Sequence, residues 1–159
     1  MQFAEADGVN CMMRLLSSAS VTVQEEVVGL IRNACVGYHG NKNQLTFCGA
    51  FWSFAQMLNQ PSLADSVREE IVSAVHYGTV GHEVNKQAAG EAGLIRALVA
   101  MLHAGPNEGS MRAKQEVAAC LRIICDESES NSAEMVKCSG VLGLLDLMAI
   151  GPIEAKEES

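Results

Sequence analysis

Apolar residues in this chain recur at spacings of three and four, in short segments separated by glycine, proline or clusters of small polar residues. That period predicts helices rather than strands. It places them over 9–16, 22–36, 42–47, 50–58, 63–77, 82–91, 94–103, 111–125, 133–137 and 141–150. Thr22, with Glu25 three residues on, has the capping-box pattern for the second of these. Gly37 is its expected C-cap. Pro61 marks the break before the fifth helix, and Gly78 and Gly81 its close. The stretches 105–110 and 126–132 read as connecting loops, and Gly151-Pro152 as the stop of the last helix.

Taken in threes, these elements repeat: a helix of about ten residues, one of about fifteen, then a short one. Four glycines open apolar runs in phase, in Asp7-Gly8-Val9, Cys48-Gly49-Ala50, Ala92-Gly93-Leu94 and Ser139-Gly140-Val141, at intervals of 41, 44 and 47 residues. An acidic-apolar stretch follows each of the first three: Glu25-Glu26-Val27-Val28, Glu69-Glu70-Ile71-Val72 and Gln115-Glu116-Val117-Ala118. Periods of this size mark helical repeat arrays, in which no unit buries its apolar face alone. The expected organisation is one all-α repeat domain over 1–152, with units at about 7–47, 48–91 and 92–138, a partial unit at 139–152, and a charged tail at 153–159.

Composition narrows the function. With 48% hydrophobic and only 4% aromatic residues, the packing must rest on aliphatic side chains, Ala and Met. Phe47, Phe51, Trp52 and Phe54 are expected in the core, as are Met12, Met13, Met57, Met101 and Met148. The net charge of −8, without a Lys/Arg cluster, argues against nucleic acid as a partner. No apolar run reaches the ~18 to 20 residues of a bilayer span, and no cleavable leader opens the chain, so the expected compartment is cytoplasmic or nuclear and no membrane partner is expected.

Candidate chemistry is sparse. Cys11, Cys35, Cys48, Cys120, Cys125 and Cys138 form no C-x-x-C pair, and His39, His76, His82 and His103 lack the spacing of a helical metal site. The cysteines read as small buried hydrophobes in a reducing compartment. Cys35 with nearby His39 lacks an orienting third group, and no phosphate-binding or hydrolase motif occurs. The expectation is a non-enzymatic protein with no cofactor and no metal. Ser128 and Ser130, in an acidic loop, are candidate phosphorylation sites.

At this point the chain resembles the armadillo repeat family. The resemblance rests on the small-residue/Gly/apolar openings, on Leu15-Leu16, Met57-Leu58 and Met101-Leu102, on the Glu-Val-rich start of each long helix and on Ile31-Arg32-Asn33-Ala34, and it covers 7–150. It implies a right-handed α-solenoid whose long helices line a concave groove that binds a protein or peptide segment. With Val27, Ile71 and Val117 equivalent, the groove positions fall in rows: Glu25, Glu69 and Gln115; Gly29, Ser73 and Ala119; Arg32, His76 and Arg122; Asn33, Tyr77 and Ile123. Peptide-clamping members carry an Asn in each repeat and a Trp one turn before it. Here the Asn remains only as Asn33, and Gly29, Ser73 and Ala119 stand at the Trp position. The expectation is therefore a trough floored by small residues, with a basic row (Arg32, His76, Arg122) suited to a partner helix or an acidic segment.

The partial last unit leaves Leu142, Leu144, Leu145, Leu147, Met148 and Ile150 without a long helix to cover them all. An adapted cap, a longer repeat protein or pairing with another chain would each answer this. The alternative function is thus a structural unit that self-associates, as a homodimer, through Leu142, Leu145 and Met148.

Overall fold

The computed structural model describes residues 8–16, 20–104 and 111–157, with side chains described through 149. The described residues form ten helices and no strand: α1 (Gly8–Leu16), α2 (Val21–Cys35), α3 (His39–Phe47), α4 (Ala50–Leu58), α5 (Asp65–Thr79), α6 (Glu83–Glu91), α7 (Leu94–His103), α8 (Met111–Cys125), α9 (Glu129–Lys137) and α10 (Gly140–Glu157). The lead at 1–7, the breaks at 17–19 and 105–110, and residues 158–159 lie outside the described residues, as does the side chain of Ile150.

The opening helices share one apolar stripe. Val9, Met12, Met13 and Leu16 of α1 correspond to Phe51, Phe54, Ala55 and Leu58 of α4 and to Ile95, Leu98, Val99 and Leu102 of α7, and all twelve are buried. Burying a Leu, Ile or Phe of this kind contributes about 1.5–3 kcal/mol. The stripe packs α1 on α2, α4 on α5 and α7 on α8. Successive units then join like to like, α2 to α5 to α8, α3 to α6 to α9, and α4 to α7 to α10.

The three long helices are each 15 residues and start at Val21, Asp65 and Met111, intervals of 44 and 46. Left-handed residues at the unit boundaries keep the same two intervals: Gly49 (φ 68°), Gly93 (φ 81°) and Ser139 (φ 62°). This corrects the register of the last boundary. The sequence pattern pairs Gly140 with Gly49 and Gly93, whereas Gly140 opens α10 and Ser139 takes the strained turn.

Buried polar side chains tie each unit to itself and to the next. Asn41, Asn85 and Asn131, also 44 and 46 residues apart, sit third in the short helices. Their amides donate to the carbonyls of Ala34, Gly78 and Ile124 at the end of the unit's own long helix, at 2.6, 2.8 and 2.9 Å. Asn85 and Asn131 also reach the preceding unit, at the carbonyls of Lys42 (2.9 Å) and Lys86 (3.0 Å). A second set closes the opening helices: Gln24, Arg68 and Lys114, each fourth in its long helix, donate to Leu16, Leu58 and Ala104. Helix C-termini leave carbonyls unpaired, and these side chains satisfy them where water is scarce.

Several local expectations change. Ser20, not Thr22, is the N-cap residue of α2, and no side chain caps there. Gly78 lies within α5 rather than ending it, and is a glycine there for close packing, since a Cβ would fall 2.5 Å from Leu45 Cδ1. α9 begins four residues earlier than its apolar pattern, capped by Ser128, whose hydroxyl accepts from the Asn131 N–H. α10 continues past Gly151-Pro152 to Glu157, so most of the expected tail is helical. Phe51 and Phe54 are core residues, but Phe47 and Trp52 are 85% and 62% exposed. Met148 is likewise exposed rather than core. Only Cys35 and Cys120 of the six free cysteines are fully buried, and Cys11 is exposed. Burial pushes the Cys35 thiol up to about 11 and raises that of Cys120 further, so neither is a ready nucleophile. Among the described residues no helix is long and apolar enough to cross a membrane.

Candidate interaction surface on the long helices

α2, α5 and α8 lie side by side, so residues at equal positions along them form rows. Val27, Ile71 and Val117 are buried, as are Ile31, Val75 and Leu121 one turn on. The twelve positions singled out by the repeat alignment fall elsewhere on these helices. Glu25, Gly29 and Arg32 of α2 are half-buried and Asn33 is exposed. On α5, Ser73 and His76 are half-buried while Glu69 and Tyr77 are exposed. On α8, Ala119 and Ile123 are half-buried while Gln115 and Arg122 are exposed. Positions i, i+4, i+7 and i+8 share a helix face, so each helix offers its four to the same side.

The charges on this face are organised differently from a plain basic row. Arg32 Nε lies 3.0 Å from Glu70 Oε2 across the α2–α5 seam. Gly29 makes the approach possible, since a Cβ there would sit 3.3 Å from the same oxygen. Both paired atoms are buried and neither makes a hydrogen bond, so the contact is one of charge alone. His76 is held below the ordinary histidine range, by burial first and by the Arg122 guanidinium second, against the pull of Glu116. It is therefore uncharged at neutral pH. Arg122 is the member of the row that stays exposed.

Glu70, Arg112 and Glu116 were not legible as site residues. With Arg32, Glu69, Ser73 and Ala113 they line a depression of about 190 Å³ over the seams. Arg112 Nε is 3.5 Å from Glu116 Oε1 along α8. The signal for Glu70 was its repeat phase: it stands beside Glu69 as Glu26 stands beside Glu25. A larger cavity of about 380 Å³ lies between the α4–α5 turn and α7–α8, floored by Leu58, Leu63, Ala97, Met101, Ala113 and Val117. Lys114 and Glu69 stand at its rim.

The last helix carries the other predicted surface. Leu144 and Leu147 of α10 pack against the core, while Leu142, Leu145 and Met148 are exposed. Among the described residues no cluster of three His, Cys, Asp or Glu could hold a metal ion.

A scan against protein-family models finds no match, and no curated protein matches the sequence.

Proposed function

We propose that the chain is a right-handed α-solenoid of armadillo-like repeats and works as a protein-interaction module, a scaffold or adaptor of the cytosol or nucleus. Its partner is a segment of another protein, laid across α2, α5 and α8. One observation carries this reading: four equivalent positions on each of three in-phase helices all keep accessible surface, while Val27, Ile71 and Val117 beside them are buried. The floor of Gly29, Ser73 and Ala119 admits close approach, which suits a helix better than an extended peptide. Arg122 offers the carboxylate contact, and a partner carboxylate can compete with Glu70 for Arg32. Six free thiols suit a reducing compartment.

The test is capture on an array of helical peptides of acidic, neutral and basic character, by the native chain and by Arg32→Glu/Arg122→Glu. Retention of acidic peptides that the double variant loses supports the reading. Equal capture by both proteins, or capture of basic peptides alone, contradicts it.

A second reading rests on α10. Its Val141, Leu145 and Met148 correspond to Ile95, Val99 and Leu102 of α7, which are at most 5% exposed; on α10 they are 48%, 55% and 72% exposed. Together with Leu142 they form an apolar face that a second copy could cover, which makes the chain an assembly unit. Light scattering over a concentration series decides it: a dimer dissolved by Leu145→Glu supports assembly, and a monomer throughout rejects it.

A further inference from the structure

The strongest unassigned constellation lies on the short-helix side of the seam between the first two units. His82 is the N-cap residue of α6. Its Nδ1 accepts from the Asn85 backbone N–H at 3.3 Å, a donor shared with the His82 carbonyl at 3.0 Å. With Nδ1 accepting, the ring proton sits on Nε2, which donates to Asn43 Oδ1 of α3 at 2.8 Å. The His82 ring also stacks on His39, the first residue of α3, with centroids 6.0 Å apart. One imidazole thus bridges two units in a single tautomer that both nitrogens require.

We infer that His82 is a pH-sensitive latch on the start of α6, closed when its imidazole is neutral and released when Nδ1 is protonated, while the Nε2 bond to Asn43 is kept in both states. A proton on Nδ1 would face the Asn85 N–H and put a positive charge at a helix N-terminus, where the macrodipole opposes it. The titratable and charged groups acting on the ring are His39 and Lys42 of α3 and Glu83 of α6. Lys42 lies beside the latch, its Nζ donating to the Val80 carbonyl just before it. His39 and Lys42 add to the penalty, while a backbone hydrogen bond within His82 and then the Glu83 carboxylate relieve part of it. The ring is consequently held below the ordinary histidine range, chiefly by burial and then by His39 and Lys42. Because the folded value is lowered, the latch's stabilisation is complete above the unfolded value of about 6.5 and is lost as pH falls through the folded one.

The third unit supplies the control. Ser128 occupies the equivalent capping position, and its hydroxyl accepts from the Asn131 N–H without titrating in this range. The experiment is hydrogen exchange by mass spectrometry on the full chain, from about pH 7.5 to about pH 5.5, with intrinsic rates corrected. The native protein should lose protection at the start of α6, by up to about tenfold per pH unit, while α9 is unchanged. His82→Ser, which installs the cap of the third unit, should flatten that loss. His76→Gln removes the other lowered histidine and should leave it intact. An NMR titration that puts the His82 ring at or above the ordinary value overturns the latch. So does an equal loss of protection at the start of α6 in His82→Ser.

Discussion

Lys42 Nζ donates to the backbone carbonyl of Val80, 2.6 Å away and 38 residues further along the chain. The bond runs from the short helix of one unit to the end of the next unit's long helix. Lys86 repeats it, reaching the carbonyl of Asp126 at 3.4 Å and its carboxylate at 3.3 Å. Ser132 stands at the third such position, and its hydroxyl turns back to Cys125 of its own unit. Lysines are rarely buried unless paired; the neighbouring unit supplies a partner to both, and Glu83 of its own helix also pairs Lys86 at 2.8 Å.

Lys42→Met keeps the aliphatic stem but leaves the Val80 carbonyl without its donor. We expect a loss of about 1–3 kcal/mol in urea unfolding. A change within error would mean that water replaces the ammonium at no cost.

Asn85 carries three bonds, donating to the Lys42 and Gly78 carbonyls and accepting from the Thr46 hydroxyl at 2.7 Å. Asn85→Ala removes all three bonds and leaves the Gly78 carbonyl near the end of α5 without its side-chain donor, and we expect a loss of about 3 kcal/mol. Asn41→Ala, whose amide serves the single carbonyl of Ala34, should cost less. Equal losses in the two variants would contradict the role given to the inter-unit bond.

Ser139 holds φ 62° where the other two boundaries have glycine. Ser139→Gly should therefore stabilise the chain by about 1 kcal/mol, and Gly93→Ala should destabilise it by a similar amount. Thermal unfolding of the pair checks the assignment of Ser139, rather than Gly140, to the turn.

The phase of the opening helices was legible because their apolar residues are fixed by local period: the expected bounds 50–58 and 94–103 are those of α4 and α7. The bounds 111–125 are those of the long helix α8, while α2 and α5 are shifted by one and two residues. What stayed hidden depends on partners some 40 residues away. Asn41, Asn85 and Asn131 look like ordinary polar residues until the neighbouring carbonyls are in place. Gly78 looks like a helix stop because the Leu45 side chain pressing on it belongs to another element. Gly90 is similar, since a Cβ there would overlap the Asn131 amide. On the candidate surface, the row positions follow from the repeat alignment. The capture of Arg32 by Glu70 depends on the space left by Gly29, which no periodicity reports.

That pair makes a functional prediction. Glu70→Gln frees Arg32 for an incoming carboxylate, so affinity for a captured acidic peptide should rise by about threefold to tenfold, corresponding to the ~1 kcal/mol of a partly exposed ion pair. Fluorescence titration of a labelled peptide measures it. Unchanged or weaker binding would show that Arg32 takes no part.

The most direct test of the interaction surface is a backbone amide shift map of the full chain with a peptide captured on the array. The account places the shifts along one face of α2, α5 and α8, at Gly29, Arg32, Ser73, His76, Ala119 and Arg122, with α10 silent. Shifts concentrated at Leu142, Leu145 and Met148, with the long helices unmoved, would contradict it.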